Sequence, residues 1–292
     1  MSCSLQSYWK HLRVPFQLSL SPLFLWGFFL ANGTPSRGMA LGFAAFHFFL
    51  YTGITAYNSA YDKDEGPVGG MLKPPPVPRY LLVFSLVVQA IGAMMAFAVN
   101  GAFFGIYVGI VVLGIAYSYP PIRWKASPIL SALTVFVGQG IGGFLAGWTA
   151  AVGNFAGIES ERALFGMASA AFTTLGLYPL TQVYQIDEDT KRGDRTLAVV
   201  LGAARALWFG WVCLSLAGIC AVIVMARTES RLDVVLVGFA YAIILAVVAR
   251  FAQDTLNQRH STVSAFRLAM CLNFLTAAGF LIFIAGHLLK VL

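Results

Sequence analysis

The chain has 292 residues, of which 59% are hydrophobic and only 11% charged; its mean hydropathy is +0.77 and its formal net charge +7. So few charges cannot cover the surface of a soluble domain of this size, in which roughly a quarter of residues are charged. The apolar content equally excludes disorder, which needs low hydrophobicity. The composition predicts an all-α fold: a polytopic membrane helical bundle of about nine transmembrane helices around a central cavity, since one span takes about 20 residues. Residues 1–292 read as a single domain.

The opening stretch, MSCSLQSYWKHLR, lacks the short apolar run and small-residue site of a cleavable signal. The first apolar segment covers 14–31 and the second 37–58. The third and fourth, 80–99 and 101–117, are separated by little more than Asn100-Gly101 and predict a tight helical hairpin. The remaining segments cover 128–151, 162–184, 201–226, 231–250 and 266–289. In the fifth, Gly138, Gly142 and Gly147 read as small residues for close helix packing, with Gln139 as a polar residue in a cavity. The longest polar stretches, 59–79, 118–127 and 185–200, all follow even-numbered segments.

Sidedness follows from the basic residues. With the N-terminus inside, alternation leaves only Arg37, Arg162, Arg227, Arg231 and Lys290 of the 19 Lys and Arg on the outer face. This matches the positive-inside rule and predicts cytoplasmic site loops, a C-terminus on the opposite side, and a bacterial inner membrane. The +7 charge then reads as loop charge rather than a nucleic-acid surface. Cys3, Cys213, Cys220 and Cys271 show no metal-ligand or disulfide spacing.

The acids are concentrated. Of the 12 Asp and Glu, Asp62, Asp64 and Glu65 form one block, and Asp187, Glu188, Asp189 and Asp194 another. Both fall on the predicted inner face, at span ends, where costly charge is a functional candidate. His47, Tyr51, Thr55, Asn58 and Asp62 follow one another at three- and four-residue steps, as do Tyr178, Gln182, Gln185 and Asp189. Each set forms one polar helix stripe ending in carboxylate. His47 by itself reads as an inter-helix hydrogen bond. Lys63, Lys73, Arg123, Lys125, Lys191, Arg192 and Arg195 interleave with the acids. Carboxylates with basic neighbours fit either mutual neutralisation or a Mg2+–diphosphate site, in which metal and cations take up charge on a leaving diphosphate.

These residues carry a resemblance. Tyr57-Asn58-Ser59-Ala60-Tyr61-Asp62-Lys63-Asp64 resembles the first aspartate-rich motif of UbiA-type intramembrane prenyltransferases, NDxxDxxxD. Gln185-Ile186-Asp187-Glu188-Asp189-Thr190-Lys191-Arg192-Gly193 resembles the second, DxExDxxxG. The stretch Tyr117-Ser118-Tyr119-Pro120-Pro121-Ile122-Arg123-Trp124-Lys125 is similar to a YSxPPxRxK stretch of several members. Ser59, Gly66 and Gln185 stand where the family usually carries Asp, and Asp187 where it carries Glu.

The resemblance implies transfer of an isoprenoid chain from a prenyl diphosphate to a small acceptor, aromatic and quinone-precursor-like, within the lipid bilayer and with Mg2+ as cofactor. No protein partner is implied. Asn58, Asp62, Asp187 and Asp189 would hold metal, with Gln185 offering a carbonyl oxygen. Arg123, Lys125 and Lys191 would hold the diphosphate, and Lys73, Tyr117 and Tyr178, or Tyr184, would touch substrate. A UbiA-type terpene cyclase and a diphosphate-binding or transport protein without turnover are the alternatives.

Overall fold

A computed structural model describes residues 5–228 and 230–289. Cys3 and Lys290 lie outside the described residues. Apart from an isolated bridge between Val68 and Met71, every regular element among the described residues is helical.

The first apolar segment differs from the expectation of an unbroken span. After helix α1 (Leu5–Leu12) it divides into α2 (Val14–Leu18) and α3 (Ser21–Leu30). Pro15 and Pro22 each sit in the first turn of their helix, where the missing N–H removes no hydrogen bond. One uninterrupted helix would need the amide that Pro22 lacks. The broken segment still traverses the bundle: Arg13 lies beside Asp64 at one end, and the Phe29 ring packs on His287 at the other.

Eight helices among the described residues are long and apolar enough to cross a membrane. They are α4 (Arg37–Asp62), α5 (Leu81–Val99), α6 (Gly101–Ser118), α7 (Pro128–Val152), α8 (Glu161–Gln182), α11 (Ala203–Thr228), α12 (Arg231–Leu256) and α13 (Thr262–Leu288). Two short helices, α9 (Ile186–Arg192) and α10 (Leu197–Leu201), connect α8 to α11. The hairpin forms as its sequence predicts. Asn100 is extended, its side chain accepts from the Phe103 amide, and it donates to the Thr149 carbonyl of α7.

Alternate passes bring α1 and the loops after α4, α6 and α8 to one end. There α1 lies along the surface, with Leu5 and Trp9 exposed and Ser7 donating to the Pro76 carbonyl. An exposed Trp and Leu on a short helix at the end of a bundle suit the membrane interface.

Packing is tightest where side chains are absent. Gly27 of α3 and Gly147 of α7 let the two backbones touch; a Cβ on Gly147 would overlap the Phe24 carbonyl, and one on Gly27 the Phe144 carbonyl. Trp26 locks the same region by donating to the Gly166 carbonyl of α8. Two helices contain a π-turn, at Ala45–Leu50 in α4 and Val135–Ile141 in α7. His47, in the first, faces the Gln17 carbonyl of α2 at 3.2 Å through Nδ1, the inter-helix contact its isolation suggested.

Replacing Gly147 with Leu is expected to force α3 off α7 at a cost of about 3 kcal/mol or more. The monodisperse peak in detergent size-exclusion chromatography should shrink and the unfolding temperature should fall.

Candidate active site

The site is built where α4 stops. Lys63 adopts a left-handed conformation (φ 52°) and its amide bonds the Ser59 carbonyl, turning the chain directly after Asp62. The Asp62 carboxylate is thereby held at the bundle end, nearly buried. The ammonium of Lys125 pairs with it, and Arg123 stands 3.6 Å away. Both bases come from the loop after α6. A left-handed Arg123 (φ 41°) and the 3-10 turn Trp124–Ala126 turn their side chains to the same carboxylate.

Arg123 also grips Asp194 through two bonds of 2.8 Å each, the bidentate geometry in which guanidinium–carboxylate pairs are strongest. This contact holds the Arg123 guanidinium more firmly charged. Arg192 lies 3.0 Å from both Asp64 and Glu188. Glu188 accepts from the backbone amides of Glu65 and Gly66, at 2.9 and 3.2 Å. The two acidic segments are thus tied to each other. Gly66 leaves room for that tie: a Cβ there would lie 2.8 Å from Glu188 Oε2 and the carboxylate would have to shift.

A fourth base enters from the N-terminal side. Arg13, left-handed (φ 50°) between α1 and α2, donates to Ser59 Oγ at 2.7 Å and lies 4.0 Å from Asp64. Its guanidinium is buried and its Nε has no partner. Burial works against its charge, and Asp64 opposes that effect. Asp189 is also buried, and accepts from Thr196 Oγ1 at 3.2 Å. Burial pushes its carboxyl up to about 6, with Lys125 and Thr196 pulling the other way.

Beneath this network lies a cavity of about 270 Å³. Its mouth is formed by Arg13, Asn58, Gln185, Tyr117 and Tyr178, and much of its wall is apolar, including Leu113, Leu177 and Phe280. The Tyr117 and Tyr178 hydroxyls are 3.0 Å apart. Asn58 donates to Ser118 Oγ at 3.0 Å, and its amide oxygen accepts no bond among the described residues.

The structure therefore gathers Asn58, Asp62, Arg123, Lys125, Gln185, Asp189, Tyr117 and Tyr178 at one end of the bundle. It does not bring in Asp187, Lys191 or Lys73, which are exposed and form no ion pair among the described residues. Tyr184 is buried against Phe266 instead of lining the cavity. Sequence reasoning passed over Arg13, Arg192, Glu188 and Asp194 as site members. Asp194 and Glu188 belonged to an acid block, so charge density was a signal for them; Arg13 carried none beyond a loop position.

The donor set fits Mg2+ in chemistry. Carboxylate and amide oxygens are hard ligands, and Asp62 Oδ1 is buried without a hydrogen-bond partner. Among the described residues no three His, Cys, Asp or Glu side chains converge on one point.

Residues 20–275 match the UbiA prenyltransferase family, and the chain belongs to it. It is accordingly an integral, multi-pass membrane protein. The fold is that of a UbiA homologue from Archaeoglobus fulgidus solved with DMAPP and Mg2+ (TM-score 0.67, 22% identity, 96% of this chain and 99% of that one). The same homologue with GPP and Mg2+ superposes with a TM-score of 0.63, at 20% identity over 96% and 99% of the two chains. A lycopene elongase/hydratase of Haloferax volcanii is 28% identical over 142 residues, 47% of this chain. That match spans 41% of the relative, less than half its length.

Glu188→Ala should release the 63–66 loop. Hydrogen–deuterium exchange at the Glu65 and Gly66 amides is expected to quicken while exchange in α8 and α11 stays unchanged.

Proposed function

We propose that the protein transfers a prenyl group from a prenyl diphosphate to a small hydrophobic acceptor inside the membrane. The observation that carries this reading is the pairing of Asp62 with Lys125 and Arg123 directly above an apolar cavity. Asn58, Asp62 and Asp189, with Gln185, would hold Mg2+, which supplies charge neutralisation for the departing diphosphate. Arg13, Arg123 and Lys125 would hold phosphate oxygens through charge-assisted hydrogen bonds. Anion binding gives the buried Arg13 guanidinium the partner its Nε lacks.

In the reaction the C1–O bond of the donor breaks and its electron pair leaves with the diphosphate. The acceptor's π electrons form the new C–C bond to C1, and the acceptor then loses a proton. The apolar wall keeps water from the allylic cation, and the aromatic faces of Tyr117 and Tyr178 stabilise positive charge. The family resemblance and the Tyr117–Tyr178 hydroxyl pair favour a hydroxy-aromatic acceptor. A second reading, an isoprenoid hydrocarbon acceptor, is supported by the name of the Haloferax volcanii relative. The proposed orientation puts the site on the cytoplasmic face.

Asp62→Ala and Asp189→Ala are each expected to lower prenyl transfer by about 100-fold or more while the protein stays folded in detergent. Asp187→Ala, on the exposed face of α9, should cost less than about tenfold. EDTA should stop turnover and Mg2+ restore it; turnover unaffected by EDTA contradicts the metal assignment. Arg13→Ala should raise the KM for the donor about tenfold, the worth of one charge-assisted bond. Mass spectrometry of lipids from cells with and without the gene distinguishes the acceptors, and a cyclised hydrocarbon formed without acceptor would instead indicate a cyclase.

A further inference from the structure

The inner end of the cavity is polar and unsatisfied. Tyr51 is 3% exposed and lines the cavity, yet its hydroxyl has no hydrogen-bond partner. Thr276 Oγ1, also in the lining, is buried and equally unpartnered. The side-chain amides of Gln139 and Asn273 complete the set, and bond to no protein group among the described residues. By contrast the neighbouring Thr173 is satisfied, with its hydroxyl 2.7 Å from that of Tyr241.

All four unsatisfied residues lie well inside long apolar helices: Tyr51 on α4, Gln139 on α7, Asn273 and Thr276 on α13. At that depth lipid offers no hydrogen bond, so leaving the buried Tyr51 and Thr276 hydroxyls unpaired is costly. Two of the four are placed by the π-turns. Tyr51 follows the turn at Ala45–Leu50 and Gln139 lies within the one at Val135–Ile141. Such insertions shift helix phase and recur at functional sites. Tyr51 and Asp62 stand at opposite ends of the 12-residue regular stretch of α4, about 16 Å apart along its axis.

We propose that this inner end is a hydrogen-bonding subsite for a hydroxyl at the far end of an isoprenoid ligand, the end remote from its diphosphate. The ligand class is an ω-hydroxylated prenyl chain, with Tyr51 and Thr276 as the hydroxyl's partners. The inference rests on the donor site proposed above.

The test compares geranyl thiodiphosphate with its analogue hydroxylated on the terminal methyl group, as ligands of the full chain in detergent with Mg2+. Wild-type protein is expected to bind the hydroxylated analogue at least as tightly as the parent. The Tyr51→Phe, Thr276→Val double variant should bind the parent unchanged, which also reports an intact fold, and lose about tenfold for the hydroxylated analogue. An affinity ratio that is the same in the variant overturns the subsite, as does wild-type protein that rejects the hydroxylated analogue tenfold. If neither ligand binds wild-type protein, the donor-site reading fails and the subsite falls with it. If the variant is unfolded, the single Tyr51→Phe change, which removes only one oxygen atom, gives the same comparison.

Discussion

Eight charged side chains, placed at one end of an otherwise apolar bundle, must neutralise one another. Asp62, Asp64, Glu188 and Asp194 face Arg13, Arg123, Lys125 and Arg192, and most of these groups are buried or half-buried. Isolated charges could not stay there; paired and hydrogen-bonded ones can. The pairs also carry the architecture. They join the end of α4, the loop after α6, the α9 segment and the N-terminal arm, elements from four separate parts of the chain. Such a network is a poor source of net stability, since an apolar substitute of the same shape is often as good. Its persistence in a chain that is 11% charged argues for a use other than folding.

That use follows from what lies beneath it. The cavity begins at Arg13, Asn58 and Gln185 and continues between the helices as a largely apolar space. A ligand with an anionic head and a hydrocarbon tail matches both halves at once. The acids alone would repel a diphosphate, and the bases alone would attract any anion. On the proposed reading, together they would take a cation and an anion as a pair. The left-handed backbone of Lys63 serves the same arrangement, since it makes the turn that holds Asp62 above the cavity.

Much of this was legible in the sequence because charge is so scarce there. Asp62, Arg123 and Lys125 stood out as charges beside apolar segments, and the structure places them in one cluster. Arg13 was legible only as loop charge, since its role depends on α1 folding back over the 63–79 loop, a tertiary contact. Asp187 and Lys191 were grouped with Asp189 by motif spacing. On α9 they share one face four residues apart, while Glu188, Asp189 and Arg192 take the other. Motif spacing does not reveal that phase; the start of the helix at Ile186 does. Eight of the nine expected spans are long helices among the described residues and were readable from hydropathy, but the break at Pro22 in the first was not weighed against it. The polar stripe down α4 was visible as spacing, yet which of its members would find partners depended on the helices packed against it.

The central claim is that the charge network is a Mg2+-dependent site for a prenyl diphosphate head. Calorimetric titration of the purified protein with geranyl thiodiphosphate, a donor that does not turn over, tests it most directly. Saturable 1:1 binding with Mg2+ present, lost with EDTA, is the predicted result. Binding of equal affinity without any divalent cation, or no binding with it, would contradict the account.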